Sequence, residues 1–272
     1  MPSSFPSGVR LAALTALTAA AVGVPAVAGQ AAAATATVSR VAGVVTYVGT
    51  AAADDVRVER DFLRPGQPVV AVTGSAQLTP GPGCHRPAGA PVTLVHCGYT
   101  ASRVDARLGA GSDSFRSTIP LSGTVDGGTG ADTFHAGVAA GPSAIAYTGG
   151  DGFDTVDYTG ATSGIVADLG APAPDGRPEN ADKDSLTTVE RVLGSRHNDT
   201  LTGDDKANLL VGGTGADRLS GGGGHDILDA RDGMHDKRID CGADVGDLAR
   251  TDESTDEQKD DPTPIGCESV TR

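Results

Sequence analysis

Tryptophan is absent from this 272-residue chain, and aromatic residues make up only 3% of it. A core packed from large rings is thereby excluded. Hydrophobic residues reach 38%, but much of that share is alanine, which buries little area. Basic residues are scarce as well: 21 Lys and Arg face 35 Asp and Glu, leaving a formal net charge of −14. That balance argues against a nucleic-acid role, since phosphate binding needs a basic surface. After residue 34 no apolar run is long enough to span a membrane, so the mature chain is expected to be soluble.

Catalytic signatures are missing too. There is no G-x-S-x-G elbow, no H-E-x-x-H helix and no G-K-[ST] phosphate loop. The run G-G-T-G-A-D looks like a phosphate cradle, but a strand residue follows where a helix should start. The histidines at 85, 96, 135, 197, 225 and 235 are scattered, and His135 and His225 read as exposed loop or flank residues. The expectation is a protein that is not an enzyme.

What the chain does have begins at the N-terminus. Residues 1–34 carry Arg10, an apolar stretch from Leu11 to Val24, and small residues at Ala26, Ala28, Ala31 and Ala34, the pattern of a cleaved secretory signal. The competing reading, a transmembrane helix, needs a longer and less alanine-rich segment. Four cysteines in an exported chain suggest two disulfides. Of the three pairings possible, the local one is expected, Cys84–Cys97 with Cys241–Cys267, because each pair brackets a polar loop. On a chain-entropy model the two closures are worth about 3 and about 3.5 kcal/mol. A four-cysteine zinc site is the alternative, but no C-x-x-C pair supports it.

Glycine is abundant, at 39 residues, which points to backbone conformations that other residues avoid. Its placement is periodic from Gly194 to Asp229. Cut into nines, the stretch reads GSRHNDTLT, GDDKANLLV, GGTGADRLS and GGGGHDILD. Glycine stands first, Asp or Asn sixth (Asp199, Asn208, Asp217, Asp226) and leucine eighth (Leu201, Leu210, Leu219, Leu228). Upstream, Asp113 with Phe115, Asp132 with Phe134 and Asp154 with Val156 repeat the sixth and eighth positions. A period of this kind dictates architecture before any single residue does. It resembles the RTX, or hemolysin-type, calcium-binding nonapeptide repeat. The whole looks like the small exported calcium-binding repeat proteins of high-GC actinobacteria.

The resemblance implies an all-β fold, a parallel β-roll in which successive nonapeptides lie on opposite sides and one coil takes eighteen residues. It implies Ca²⁺ as the bound ion, between turns stacked on one side. Asp199 would then pair with Asp217 and Asn208 with Asp226, and carbonyls of Gly213, Gly215, Gly222 and Gly224 would complete the shells. Asn208 keeps an oxygen but loses charge, so its pair is expected to bind more weakly. His197 stands where the family has glycine. The spacings of 19 and 22 residues between Asp113, Asp132 and Asp154 fit stacked coils only with insertions. A glycine-turn β-solenoid that needs no metal remains the alternative, most of all for these three.

Four segments follow. Residues 1–34 are the signal. Residues 35–103 are a β-rich start, with a hairpin or short meander over 35–60, a strand from Val69 to Val72, and Val92, Leu94 and Val95 in another. Residues 104–229 are the roll, in which Ile165, Val166 and Leu169 are candidate core residues and 170–185 an exposed loop. Residues 230–272 are a degenerate acidic cap closed by Cys241–Cys267, with a charged tract over 251–264 expected to be solvated and mobile. The function expected is an exported, calcium-stabilised structural module, extracellular or in the cell wall. A calcium-dependent adhesin, with an extracellular or cell-wall glycan as partner, is the alternative, and a hydrolase with an unrecognised site the third.

Overall fold

A computed structural model describes residues 35–64, 67–170, 174–252 and 261–272. The expected export signal lies outside the described residues. Strands account for nearly all regular structure, and the described residues contain no α-helix. Among the described residues no helix is long and apolar enough to cross a membrane.

In chain order the strands are β1 (Ala36–Val41), β2 (Val44–Thr50), β3 (Asp55–Arg64), β4 (Gln67–Gly74), β5 (Leu78–Pro80), β6 (Leu94–His96), β7 (Arg103–Ala110) and β8 (Ser114–Ser117). They continue with β9 (Ser122–Thr129), β10 (Thr133–His135), β11 (Ala144–Asp151), β12 (Thr155–Asp157), β13 (Val166–Asp168), β14 (Ser185–Thr187) and β15 (Arg191–Leu193). The rest are β16 (Thr200–Thr202), β17 (Leu209–Val211), β18 (Arg218–Ser220), β19 (Ile227–Asp229), β20 (Arg238–Asp240), β21 (Leu248–Arg250) and β22 (Ser269–Thr271).

These strands wind into a parallel β-roll with two walls. One wall is a single sheet of eleven strands, β22-β21-β19-β17-β15-β12-β10-β8-β3-β4-β6. The other is made in two pieces: seven strands, β14-β11-β9-β7-β2-β1-β5, and then four, β13-β16-β18-β20. The nonapeptides alternate between the walls, and each strand meets its equal eighteen residues on: Leu201 with Leu219, Leu210 with Leu228. Earlier coils are longer. Phe115, Phe134 and Val156 still stack in register on the continuous wall, because the extra residues are absorbed in the corners.

Side-chain alternation explains why such short strands hold. In each three-residue strand of the nonapeptide coils only the middle side chain points inward. Val192, Leu201, Leu210, Leu219 and Leu228 are all fully buried, and their neighbours face out. The longer strands β7, β9 and β11 bury more per coil, including Val104, Leu108, Val125, Ile145 and Tyr147. Phe134 and Tyr147 meet across the interior with ring centroids 5.2 Å apart. This is how a chain so poor in aromatics fills a core: one thin column repeated along its length.

At the N-terminal end β1 and β2 form an antiparallel hairpin, turned at Ala42 and Gly43 with positive φ at both. The chain then crosses to the other wall, where β3 and β4 form a second hairpin. Val92 lies outside β6 and is exposed. Both expected disulfides are present, Cys84–Cys97 and Cys241–Cys267.

Three expectations need correction. At β13 and its flanks it is Ile165 and Ala167 that are buried, whereas Val166 and Leu169 are half-buried, since alternation turns Val166 outward. Of the charged tract, residues 253–260 lie outside the described residues, but Thr251 is buried, and Asp261 accepts the N–H groups of Asp236 and Asp252.

The third correction concerns the loop expected to be exposed over 170–185: among its described residues Pro174, Pro178, Glu179, Ala181 and Lys183 are exposed, but its other charged residues turn inward. Asp175, Arg177, Asp182 and Asp184 are all buried. Arg177 is only 1% exposed; its Nε lies 2.7 Å from Asp182 Oδ2, and its terminal nitrogens donate to the carbonyls of Ala139 and Gly141. The excursion folds back at the place where the second wall changes from one sheet to the next, and Arg177 and Asp182 pair there. Breaking a buried pair leaves a bare charge, at a cost of about 3–5 kcal/mol. Arg177→Met is therefore expected to lower the melting temperature well beyond what loss of a surface ion pair does, as thermal unfolding would read.

Candidate metal centre

Every coil carries an acidic residue, or Asn208, at the corner just before a strand, and these residues form two ladders. On the continuous wall the backbone N–H of Asp54 donates to Asp113 Oδ1 (2.6 Å), that of Asp113 to Asp132 Oδ1 (2.7 Å), and that of Asp132 to Asp154 Oδ1 (2.8 Å). Asp154 continues the row to Glu190 at 2.9 Å. Further on, Asn208 N–H donates to Asp226 Oδ1 (2.9 Å), Asp226 to Asp247 (2.7 Å) and Asp247 to Glu268 (2.9 Å). On the other wall Asp199 N–H donates to Asp217 Oδ1 (2.8 Å), and Asp217 to Asp236 (2.7 Å). One carboxyl oxygen of each rung thus ties neighbouring coils together.

The second oxygen is the one with chemistry to spare. Oδ2 of Asp113, Asp132, Asp154, Asp226, Asp236 and Asp247 is buried and has no hydrogen-bond partner in the protein. A buried polar atom left so is costly unless something pairs with it. The first glycine of each turn keeps the space beside it open. A Cβ on Gly221 would collide with Asp226 Oδ2 and the carbonyl oxygen of Cys241; one on Gly127 would collide with Asp132 Oδ2 and meet the Gly149 carbonyl. Carboxylate and carbonyl oxygens therefore converge at these corners, which is the donor set a hard divalent cation takes. Among the described residues no three His, Cys, Asp or Glu side chains gather as a metal cluster, so the carbonyls are a necessary part of any such shell.

Electrostatics agrees with that need. Burial pushes the Asp113 carboxyl up to about 7 and that of Asp236 to about 8, and neighbouring carboxylates add to both shifts. Asp154, Asp217 and Asp226 are pushed up to about 6, again by burial first. Without a cation these groups hold a proton more tightly than a free carboxyl does.

The structure places Asp199 beside Asp217 and Asn208 beside Asp226, one coil apart in each case. The two pairs differ in what they leave free. Asp199 already has both oxygens engaged: Oδ1 by Ile165 N–H and Ser195 Oγ at 2.8 Å each, Oδ2 by Ser195 N–H at 2.5 Å. Asn208 Oδ1 accepts Asp204 N–H (2.8 Å), and its Nδ2 is buried without a partner. Asp113, Asp132 and Asp154, separated in sequence, lie on one ladder. Gly213, Gly215, Gly222 and Gly224 sit in the same turns at positive φ, packed against backbone of the preceding coil. The carbonyls flanking the carboxylates at the first glycines belong instead to residues such as Gly149, Gly212, Gly221 and Cys241.

Sequence reading missed Asp54, Glu190, Asp236, Asp247 and Glu268 as ladder members. Most share a signal that ignores glycine: an acidic residue two positions before an inward apolar one, as in Asp54–Val56, Glu190–Val192 and Asp247–Ala249. Asp236 escapes even that rule, with one more residue before Ile239. His135 is not an exposed flank residue. It lies in β10, half-buried, with Nδ1 2.8 Å from Asp157 Oδ2.

The cradle can be tested without touching a carboxylate. Gly221→Ala places a methyl group against Asp226 and Cys241, an overpacking that costs about 1–3 kcal/mol. Gly223→Ala, whose Cβ would meet nothing closer than 3.1 Å, is the milder control. The first variant is expected to melt several degrees lower and to bind calcium more weakly than the second.

A hemolysin-type family model, described as the RTX calcium-binding nonapeptide repeat, matches residues 123–139 and 193–233, in four copies. No curated protein matches the chain.

Proposed function

We propose that this chain, an RTX calcium-binding nonapeptide-repeat protein by the repeats it carries, is an exported structural module that calcium holds in its folded form and that performs no catalysis. The observation that carries the reading is the row of buried, unpartnered carboxyl oxygens at the corners of the roll. When bound, calcium supplies two positive charges and satisfies oxygens that no protein donor reaches. Asp226 with Asp247, Asp217 with Asp236, and Asp113 with Asp132 and Asp154 are the residues to hold it. Their ladder hydrogen bonds fix one oxygen of each carboxylate and so aim the other. The ligands exist as a set only in the wound chain, so ion binding stabilises winding by mass action. Export is supported by the N-terminal signal pattern and by two disulfides, which persist in oxidising compartments.

Calorimetric titration of calcium into the chain lacking residues 1–34 tests the proposal. Several ions are expected to bind, with a melting temperature that rises with free calcium. Absence of binding would remove the basis of the reading.

A second reading, a calcium-dependent module that binds an extracellular or cell-wall glycan, is favoured by one feature. An open groove of about 670 Å³ runs past Ser163, Glu179, Arg196, His197 and Asn198, polar groups of the kind that hydrogen-bond sugars. Its floor is formed by coil corners, so its shape would depend on the ladders beneath it. Retention on cell-wall glycans that needs calcium would select this reading, and no retention in either condition the structural one.

A further inference from the structure

The partly buried excursion over 174–184 contains polar groups that the ladders do not use. Arg177 is committed to Asp182 and to two carbonyls, so it leaves two more buried carboxylates, Asp175 and Asp184, without a cation of their own. Asp184 accepts from Ser143 Oγ, which lies 2.9 and 3.1 Å from its two oxygens, and from Ile145 N–H (2.8 Å). Asp175 Oδ1 accepts Asp168 N–H (2.8 Å), but its Oδ2 is buried with no partner. Tyr158, also completely buried, has a hydroxyl without a partner, and that hydroxyl lies in the field of Asp184, Asp175 and Asp182. The hydroxyl and Asp175 Oδ2 do not reach each other, so each has to be satisfied through a third group. Gly176, at φ +105°, keeps the approach to Asp184 clear, since a Cβ there would come within 3.2 Å of Asp184 Oδ2.

We propose that Asp175, Asp184 and the Tyr158 hydroxyl hold a divalent cation of the calcium class inside the junction between the two sheets of the second wall, apart from the nonapeptide turns. Two carboxylates and a hydroxyl offer only oxygen, the donor that hard cations take, and backbone carbonyls or water have to complete the shell. A water molecule could bridge the same atoms, but it would bring no positive charge to two carboxylates in a buried place. A cation held there pins the excursion against β11 and β13, where the wall changes sheets.

The chain's lack of tryptophan makes the site readable. Tyrosine is the only sensitiser for terbium substituted at calcium sites, and there are four: Tyr47, Tyr99, Tyr147 and Tyr158. Tyr99 is exposed, Tyr47 bonds to Asp54 at the start of a ladder, and Tyr147, buried like Tyr158, also lies in the field of Asp184, so Tyr147 and Tyr158 report on the junction and Tyr47 on the ladder. In the chain lacking residues 1–34, Tyr158→Phe is expected to lower tyrosine-sensitised terbium emission by more than half, and Tyr47→Phe to spare most of it. Asp175→Asn is expected to lower calcium stoichiometry by one ion. Unchanged emission in Tyr158→Phe together with unchanged stoichiometry in Asp175→Asn would overturn the proposal in favour of bridging water. Should Asp175→Asn fail to fold, Tyr158→Phe removes a single hydroxyl and decides by emission alone. If the nonapeptide turns bound no ion, one calcium would still be lost on Asp175→Asn, so the two proposals fail separately.

Discussion

Chelation of calcium is expected to unwind the coils from Arg191 to Arg250 while the roll over 36–157 stays folded. The asymmetry follows from how much each coil buries. β15 to β21 are three-residue strands with one inward side chain each, so an eighteen-residue coil contributes two buried apolar groups. Ordering the backbone costs about 1–2 kcal/mol per residue, which burial on that scale does not offset alone. β7, β9 and β11 are eight residues long, and β7 alone buries Val104, Ala106 and Leu108. The earlier coils also begin on two antiparallel hairpins and a disulfide. Limited proteolysis in excess chelator should therefore cut between residues 191 and 250 and leave an N-terminal core. The Cys241–Cys267 bond tethers the far end but lies beyond most of those coils, so it cannot hold them wound. Circular dichroism should lose strand signal in proportion and recover it on adding calcium. A digestion pattern indifferent to chelator would show that the nonapeptide coils stand without metal.

The repeat was the most legible part of the chain, because it is written twice. Glycine permits the turn and the apolar residue two places after the aspartate marks the strand, so Asp199, Asn208, Asp217 and Asp226 fell into place with their partners. The upstream rungs were half legible. Asp113, Asp132 and Asp154 showed the right neighbours, but coil lengths of 19 and 22 residues hide a stacking that depends only on register at the strands. Asp154 and Asp199 lie 45 residues apart and stand on different ladders, on opposite walls. What could not be read was the excursion. Pro, Asp and Asn signal a loop wherever they cluster, and nothing local tells that Arg177 will pair with Asp182 and face the carbonyls of Ala139 and Gly141, 38 and 36 residues away. Burial of charge is decided by such distant partners. For the same reason nothing in the sequence marks Tyr158 as the end of a polar cluster.

The metal-free protein is expected to become more stable as the pH falls from about 8 to about 5, against the usual direction for a chain this acidic. The rungs decide the sign. Asp113, Asp154, Asp217, Asp226 and Asp236 all have folded-state values raised above an ordinary carboxyl, to between about 6 and about 8, by burial above all. A group whose value is raised on folding favours the folded state when protonated. That contribution is complete below its unfolded value and is lost as the pH rises through its folded one. At about pH 5 these rungs are therefore largely neutral and the coils cohere; at about pH 8 they are ionised, buried and unpaired. A rise in melting temperature of about 10 °C over this window corresponds to only a few kcal/mol in a chain of this size. Below about pH 4 the trend should turn, because Asp157, held near 2 by hydrogen bonds from His135 and Thr159 against the effect of burial, begins to lose them. Saturating calcium reverses the slope in the same window, since protons then compete for carboxylates that the ion keeps ionised. Melting curves at matched pH with chelator and with calcium thus cross. Parallel curves would mean that the free oxygens of the ladders are not where calcium acts.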